Sequence, residues 1–140
     1  MALSNRKALV YSTLLLSGVA HSAGCNNYES ETAIVRGTIV LDGEPVRKGT
    51  VMFVPLSGRA GRGLIEPDGT FQVSTYREGD GAAVGENKVA VIVAFGESAT
   101  AEEIAKHQLP TKYASTSTSG IVCNVKAGEE NEVHLKLKSN

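Results

Sequence analysis

The sequence predicts an all-β domain, and three observations carry that prediction. Short runs rich in Val, Ile, Thr and Phe recur at intervals of about ten residues. Gly, Pro and Asp, the residues that turns require, stand between those runs. Within several runs apolar and polar side chains alternate with period two, as a strand with one buried and one wet face demands. The chain has 140 residues, 41% of them hydrophobic, which supplies one modest core and not two.

Arg6 and Lys7 form a short positive segment, and the thirteen residues Ala8 to Ala20 carry no charge. That stretch falls short of the about 20 apolar residues that a membrane-spanning helix needs. It has the length of a signal-peptide core, so residues 1–24 are expected to be a removable leader. Ser22-Ala23-Gly24-Cys25 follows. Small residues running into a cysteine resemble a bacterial lipobox, in which the thiol is diacylated and the cysteine becomes the new N-terminus. The position three before the cysteine, usually aliphatic in a lipobox, is Ser22, so ordinary cleavage after Ala20 or Ala23 and simple secretion remain the alternative. Lipid on Cys25 would hold the protein at the cell envelope. Asn26 and Asn27 lack the Asp that in some bacteria retains lipoproteins at the inner membrane, which favours the outer one.

Residues 25–33 read as a polar tether and residues 34–140 as the domain. Seven strands are expected. Ile34 to Leu41 ends at Asp42-Gly43, a pair that tolerates positive φ in a tight turn. Gly49 to Pro55 is nearly all apolar, and Pro55 closes it by removing a ladder donor. Gly61 to Glu66 leads into the turn Pro67-Asp68-Gly69. Phe71 to Tyr76 alternates Phe71, Val73 and Thr75 against Gln72, Ser74 and Tyr76. Glu86 to Phe95 places Val89, Val91, Val93 and Phe95 on a core face, leaving Ala90, Ile92 and Ala94 as a small apolar face, covered by a loop or open to a partner. Gly120 to Lys126 turns Ile121, Cys123 and Val125 inward, which makes Cys123 an inert core thiol. Glu132 to Lys138 turns Val133, Leu135 and Leu137 inward. One helix interrupts the series, Ala101 to His107, capped by Ser98 or Thr100, with Glu102 and Glu103 at its positive end and Lys106 and His107 at its negative end. Pro110 prevents its continuation, and Leu109 to Ser119 reads as a long surface loop.

The order of these pieces resembles a known family. Val35-Arg36-Gly37-Thr38-Ile39, then Asp42-Gly43-Glu44-Pro45-Val46, then Gly49-Thr50-Val51-Met52-Phe53 is similar to the opening of carboxypeptidase regulatory-like and transthyretin-like (prealbumin-like) domains. Pro67-Asp68-Gly69-Thr70-Phe71 matches that family's second turn. Gly79-Asp80-Gly81-Ala82, Leu109-Pro110-Thr111-Lys112-Tyr113 and Thr118-Ser119-Gly120 look like a subgroup of small exported bacterial lipoproteins. The resemblance spans residues 34–138. It implies a seven-stranded Greek-key β-sandwich and, as in most relatives, no catalytic residues.

Charge and residue type exclude several functions. Lys plus Arg number 14 and Asp plus Glu 15; removing Arg6 and Lys7 with the leader leaves 12 against 15, a net charge of −3. No basic block exists to neutralise a phosphate backbone, so nucleic acid is not an expected partner. Two cysteines cannot supply four zinc ligands. A transthyretin-like hydrolase needs a C-terminal Tyr-Arg-Gly-Ser, whereas this chain ends Leu137-Lys138-Ser139-Asn140. After export His107 and His134 remain, one by a loop and one on an outward strand face, and neither has organised partners for a catalytic metal. The serines of Ala114 to Gly120 lack a nucleophile elbow or paired base. Arg36 stands where an isopeptide-forming sandwich would place its lysine, and arginine stays protonated. Neither a metal nor a cofactor is implied. Asp42, Asp68, Glu66, Glu78 and Asp80 lie in Gly-containing loops without calcium-loop spacing, and Asp42 and Asp68 read as turn formers.

The best binding candidates lie in loops carried by a rigid scaffold. First is Arg77 to Gly85, with Arg77, Glu78 and Asp80 among three glycines in a loop longer than a turn requires. Second are Lys112 and Tyr113. Arg59 and Arg62 flank a Gly-rich segment that could meet an anion or simply form a solvated hairpin. With no Trp, and Tyr76 and Tyr113 as the only rings expected to be exposed, sugar stacking has little support. The expectation is a lipid-anchored, non-catalytic envelope module with an envelope protein or a glycan as partner, or else a soluble secreted binding domain.

Overall fold

The computed structural model describes residues 28–140; the expected leader, residues 1–24, and Cys25 lie outside the described residues. Alternation in sequence becomes alternation in burial. In β2 (Val35–Leu41) Val35, Gly37 and Ile39 are buried while Arg36 faces solvent. In β4 (Thr50–Pro55) Val51 and Phe53 are buried, and in β8 (Gly85–Ile92) Asn87, Val89 and Val91 are. Leu135 and Leu137 of β10 (Asn131–Leu137) complete the pattern. With Phe71 and Val73 these apolar side chains form one core cluster. Fully burying each of the larger ones is worth about 1.5–3 kcal/mol.

The remaining strands are β1 (Thr32–Ala33), β3 (Glu44–Pro45), β5 (Gly61–Leu64), β6 (Thr70–Gln72), β7 (Ala82–Ala83) and β9 (Ile121–Val125). One four-stranded sheet runs β10-β2-β3, with β6 also paired to β2. The other runs β5-β4-β8-β9, and β1 pairs with β7 in a small third sheet. β10 and β2 are parallel, from Asn131 opposite Val35 to Leu137 opposite Leu41; the other pairs are antiparallel. Isolated bridges between Arg62 and Ser74 and between Ile65 and Phe71 join the two large sheets along one side. On the other side β9 ends one sheet and β10 the other, with no pairing between them. The fold is mainly β, with several sheets around a shared core and one α-helix among the described residues, an arrangement consistent with a β-sandwich.

Local chemistry explains the turns. Asp42 (φ 50°) and Gly43 (φ 88°) both take positive φ in the two-residue link between Leu41 and Glu44. In the second turn the Asp68 carboxylate accepts from the Thr70 N–H at 3.0 Å and the Thr70 hydroxyl at 2.7 Å. Helix α1 (Ala101–His107) starts at Thr100, whose hydroxyl accepts from the Glu103 N–H at 3.2 Å in a capping box.

Each of the seven expected runs overlaps an observed strand, though the run Phe71 to Tyr76 is strand only as far as Gln72, and three two-residue strands are additional. Thr32 and Ala33, inside the expected tether, pair with Ala83 and Ala82. The strand expected to reach Phe95 stops at Ile92, because its partner β4 begins at Thr50 and Gly49 (φ 132°) turns the chain away. Val93 and Phe95 are consequently only half-buried. The expected apolar face is also divided, for Ala90 is buried while Ile92 and Ala94 are exposed. Leu109 to Ser119 is not purely a surface loop. It contains a 3-10 helix, Thr111–Ala114, and buries Tyr113 and Ser119.

Candidate functional site

On the outer face of β10, β2 and β6 the solvent-facing residues fall into cross-strand rows. Glu132, Arg36 and Gln72 make one row, and His134, Thr38 and Thr70 the next. Thr38 Oγ1 and His134 Nδ1 are hydrogen-bonded at 2.9 Å, His134 Nε2 lies 3.6 Å from Glu132, and Arg36 pairs with Glu130. Because the chain beyond β6 bridges to β5, the surface bends from this platform toward β5 and encloses an open groove of about 570 Å³. Arg62, Leu64 and Glu66 line it from the β5 side, and Glu78 belongs to its lining. The only aromatic residue in that lining is Phe71, 3% exposed. The groove therefore offers guanidinium, carboxylate, amide and hydroxyl groups to a polar ligand but no open ring for stacking.

The expected Arg77, Glu78 and Asp80 loop is mostly occupied with its own architecture. Asp80 accepts three backbone N–H groups, from Thr75 at 2.6 Å, Tyr76 at 2.9 Å and Arg77 at 3.0 Å. Partial burial pushes its pKa up, but those donors and the Arg77 charge outweigh it and hold the carboxyl below its usual range. Arg77 pairs with Glu29 at 3.2 Å. Gly81, at φ 88°, lies so close to the Ala33 carbonyl that a Cβ would strike it. The extra length beyond a turn thus serves to pack the loop on β1, and Glu78 alone of the three reaches the groove.

Lys112 and Tyr113 lie elsewhere. The structure corrects the expectation that the Tyr113 ring is open to solvent: it is 6% exposed and belongs to the core cluster. Its hydroxyl donates to the Lys138 carbonyl at 3.1 Å and accepts from the Lys138 N–H at 2.9 Å. A large ring gains more by filling the core than by facing water, and this one finds polar partners for its hydroxyl as well. The Lys112 ammonium sits 5.0 Å from the centre of that ring. Lys138 follows the Leu41 end of β2, whereas Gly81 packs at Ala33, beyond the Val35 end. The two candidate groups are therefore not brought together.

A second cavity, of about 360 Å³, lies between β3 and the end of α1, with Pro45, Val46 and Leu109 beside Arg47, Lys106 and His107. Cys123 is half-buried against the core, and burial raises its thiol pKa. Among the described residues no group of three or more His, Cys, Asp and Glu is placed to hold a metal ion. Sequence reasoning did not single out Gln72 or Glu132. Their polar outward positions were visible, but the register that aligns them with Arg36 was not. Asn87 was also missed. It is fully buried, its amide donates to the carbonyls of Ala83 at 2.7 Å and Gly85 at 3.0 Å, and its Oδ1 has no partner. No protein-family model, curated protein or solved structure matches the chain.

Proposed function

We propose that this chain is a non-catalytic, lipid-anchored module of the cell envelope, a Greek-key sandwich of the carboxypeptidase regulatory-like and transthyretin-like kind built on seven principal strands. Its anchor is acylated Cys25, and its partner is a polar segment of another envelope protein held in the groove beside Arg36, Arg62, Gln72 and Glu78. The observation that carries the reading is where the sheets begin. The first paired residue is Thr32, seven positions after Cys25, so cleavage before Cys25 takes nothing from the described sheets or core. The lack of an open aromatic ring in the groove lining favours a protein segment over a glycan.

The test is the intact mass of the protein purified from its own membranes, beside a Cys25→Ala variant. The expected mature species begins at Cys25 and carries acyl chains that the variant lacks. An unmodified species cut elsewhere, with Cys25 free or bonded to Cys123, overturns the anchor and leaves a soluble secreted domain.

A further inference from the structure

The chain enters its first strand at one end of the molecule, and that end carries the most exposed large hydrophobic side chains among the described residues, Leu56 (99% exposed) and Tyr28 (92%). Leu56 stands in the link between β4 and β5, just after Pro55. Folding brings that link against the incoming segment. A Cβ on Gly58 would lie 2.6 Å from Ser30 Oγ. The Ser30 N–H donates to the Tyr76 hydroxyl at 3.0 Å, and the Arg59 guanidinium is 6.0 Å from the centre of the Tyr76 ring. Arg77, paired with Glu29, ties the same segment to the next loop. Tyr28, Leu56 and Arg59 thus belong to one end of the fold, and Arg59 has no acidic partner among the described residues. Leu64, the next most exposed, is opposite Thr50 at the other end of β4.

Chain length decides what can cover this end. Cys25 stands three residues before Tyr28, and three residues span at most ~11 Å even when fully extended. We infer that this end rests on the bilayer to which acylated Cys25 is fixed, with Leu56 and Tyr28 entering the lipid interface and Arg59 meeting a phospholipid phosphate; the inference rests on the lipoprotein reading above. Tyrosine suits the headgroup level because its ring is apolar and its hydroxyl polar, and guanidinium is a good partner for phosphate oxygens. Two side chains alone would bind a membrane weakly. A lipid anchor makes their insertion intramolecular, so a small affinity suffices to orient the domain.

The sequence contains no Trp, so a single introduced Trp reports one position. Full-length Leu56→Trp and Leu64→Trp variants are processed in cells, checked for acylation by intact mass, and placed in vesicles of phosphatidylethanolamine and phosphatidylglycerol. The expected result is blue-shifted emission from Leu56→Trp that is quenched by lipids brominated on their acyl chains, with neither effect at Leu64→Trp. Adding Arg59→Glu to Leu56→Trp lowers the quenching. Acylated protein whose Leu56→Trp emission stays unshifted and unquenched overturns the proposal while leaving the lipoprotein reading intact. So does equal quenching at both positions, or a blue shift without quenching, which would mean that another protein surface covers the link. Absence of acyl chains in the mass overturns the lipoprotein reading, and this inference with it.

Discussion

Asp80 illustrates how a residue that reads as a ligand becomes a fastener. A carboxylate in a Gly-rich loop is a natural binding candidate, yet its oxygens are engaged by the N–H groups of Thr75, Tyr76 and Arg77. Its pKa is held below the ordinary 3.8, so the native state binds its proton less readily than the unfolded chain does. The stability this supplies is complete above the unfolded value and is lost as pH falls from there through the folded value. The urea midpoint of the protein is therefore expected to fall as pH drops below about 3.8. Asp80→Asn is expected to be less stable at neutral pH and to lose less on acidification. Parallel curves would instead assign the acid sensitivity to Asp42 and Asp68, whose carboxyls are also lowered, by hydrogen bonds from Ser139 and Thr70. At this scale the sequence was legible where a residue acts on its neighbours, as Asp68 and Thr100 do. It was opaque where the decisive partner is remote, as for the Tyr113 hydroxyl at Lys138. Asn87 is a further case: its buried amide is expected to make Asn87→Asp strongly destabilising, since the new charge has no compensating partner there; a urea melt at neutral pH reads the loss.

Among elements, the 3-10 helix Thr111–Ala114 fastens a segment that otherwise reads as loop. Its Tyr113 packs in the core and holds the backbone at Lys138, just beyond β10. Tyr113→Phe keeps the packing and loses the hydroxyl, which is expected to cost about 1 kcal/mol. Tyr113→Ala also empties the site and is expected to cost about 3–5 kcal/mol. Urea midpoints at unchanged slope measure both, and equal losses would place the energy in the hydroxyl rather than the ring. Long alternating runs were readable because Val89 and Val91 in β8 and Leu135 and Leu137 in β10 recur with the period that marks a buried face. Helix α1 was readable because its cap and end charges agree. The strands β1, β3 and β7 have two residues each, too few to express any period, and exist only because a partner lies alongside.

For the whole molecule, the decisive fact is the parallel pairing of β10 with β2. It places Glu132 beside Arg36 and so completes one wall of the groove, and it contributes Leu135 and Leu137 to the core. Period two shows which side chains face out but not which strand stands beside which, so the groove's ingredients were visible and its assembly was not. A chain stopped at Glu130 retains nine of the described strands. It is nevertheless expected to show no cooperative urea transition by circular dichroism, because β2 loses its parallel neighbour and the core loses two leucines; a normal transition would show that β10 is dispensable.

That pairing also sets a schedule. A polypeptide is delivered N-terminus first, whether from a ribosome or through a translocon, so β2 emerges early and its parallel neighbour arrives about a hundred residues later, at Asn131–Leu137. Every shorter length lacks the strand that shields one edge of β2. Completion of that sheet is postponed until those seven residues are free.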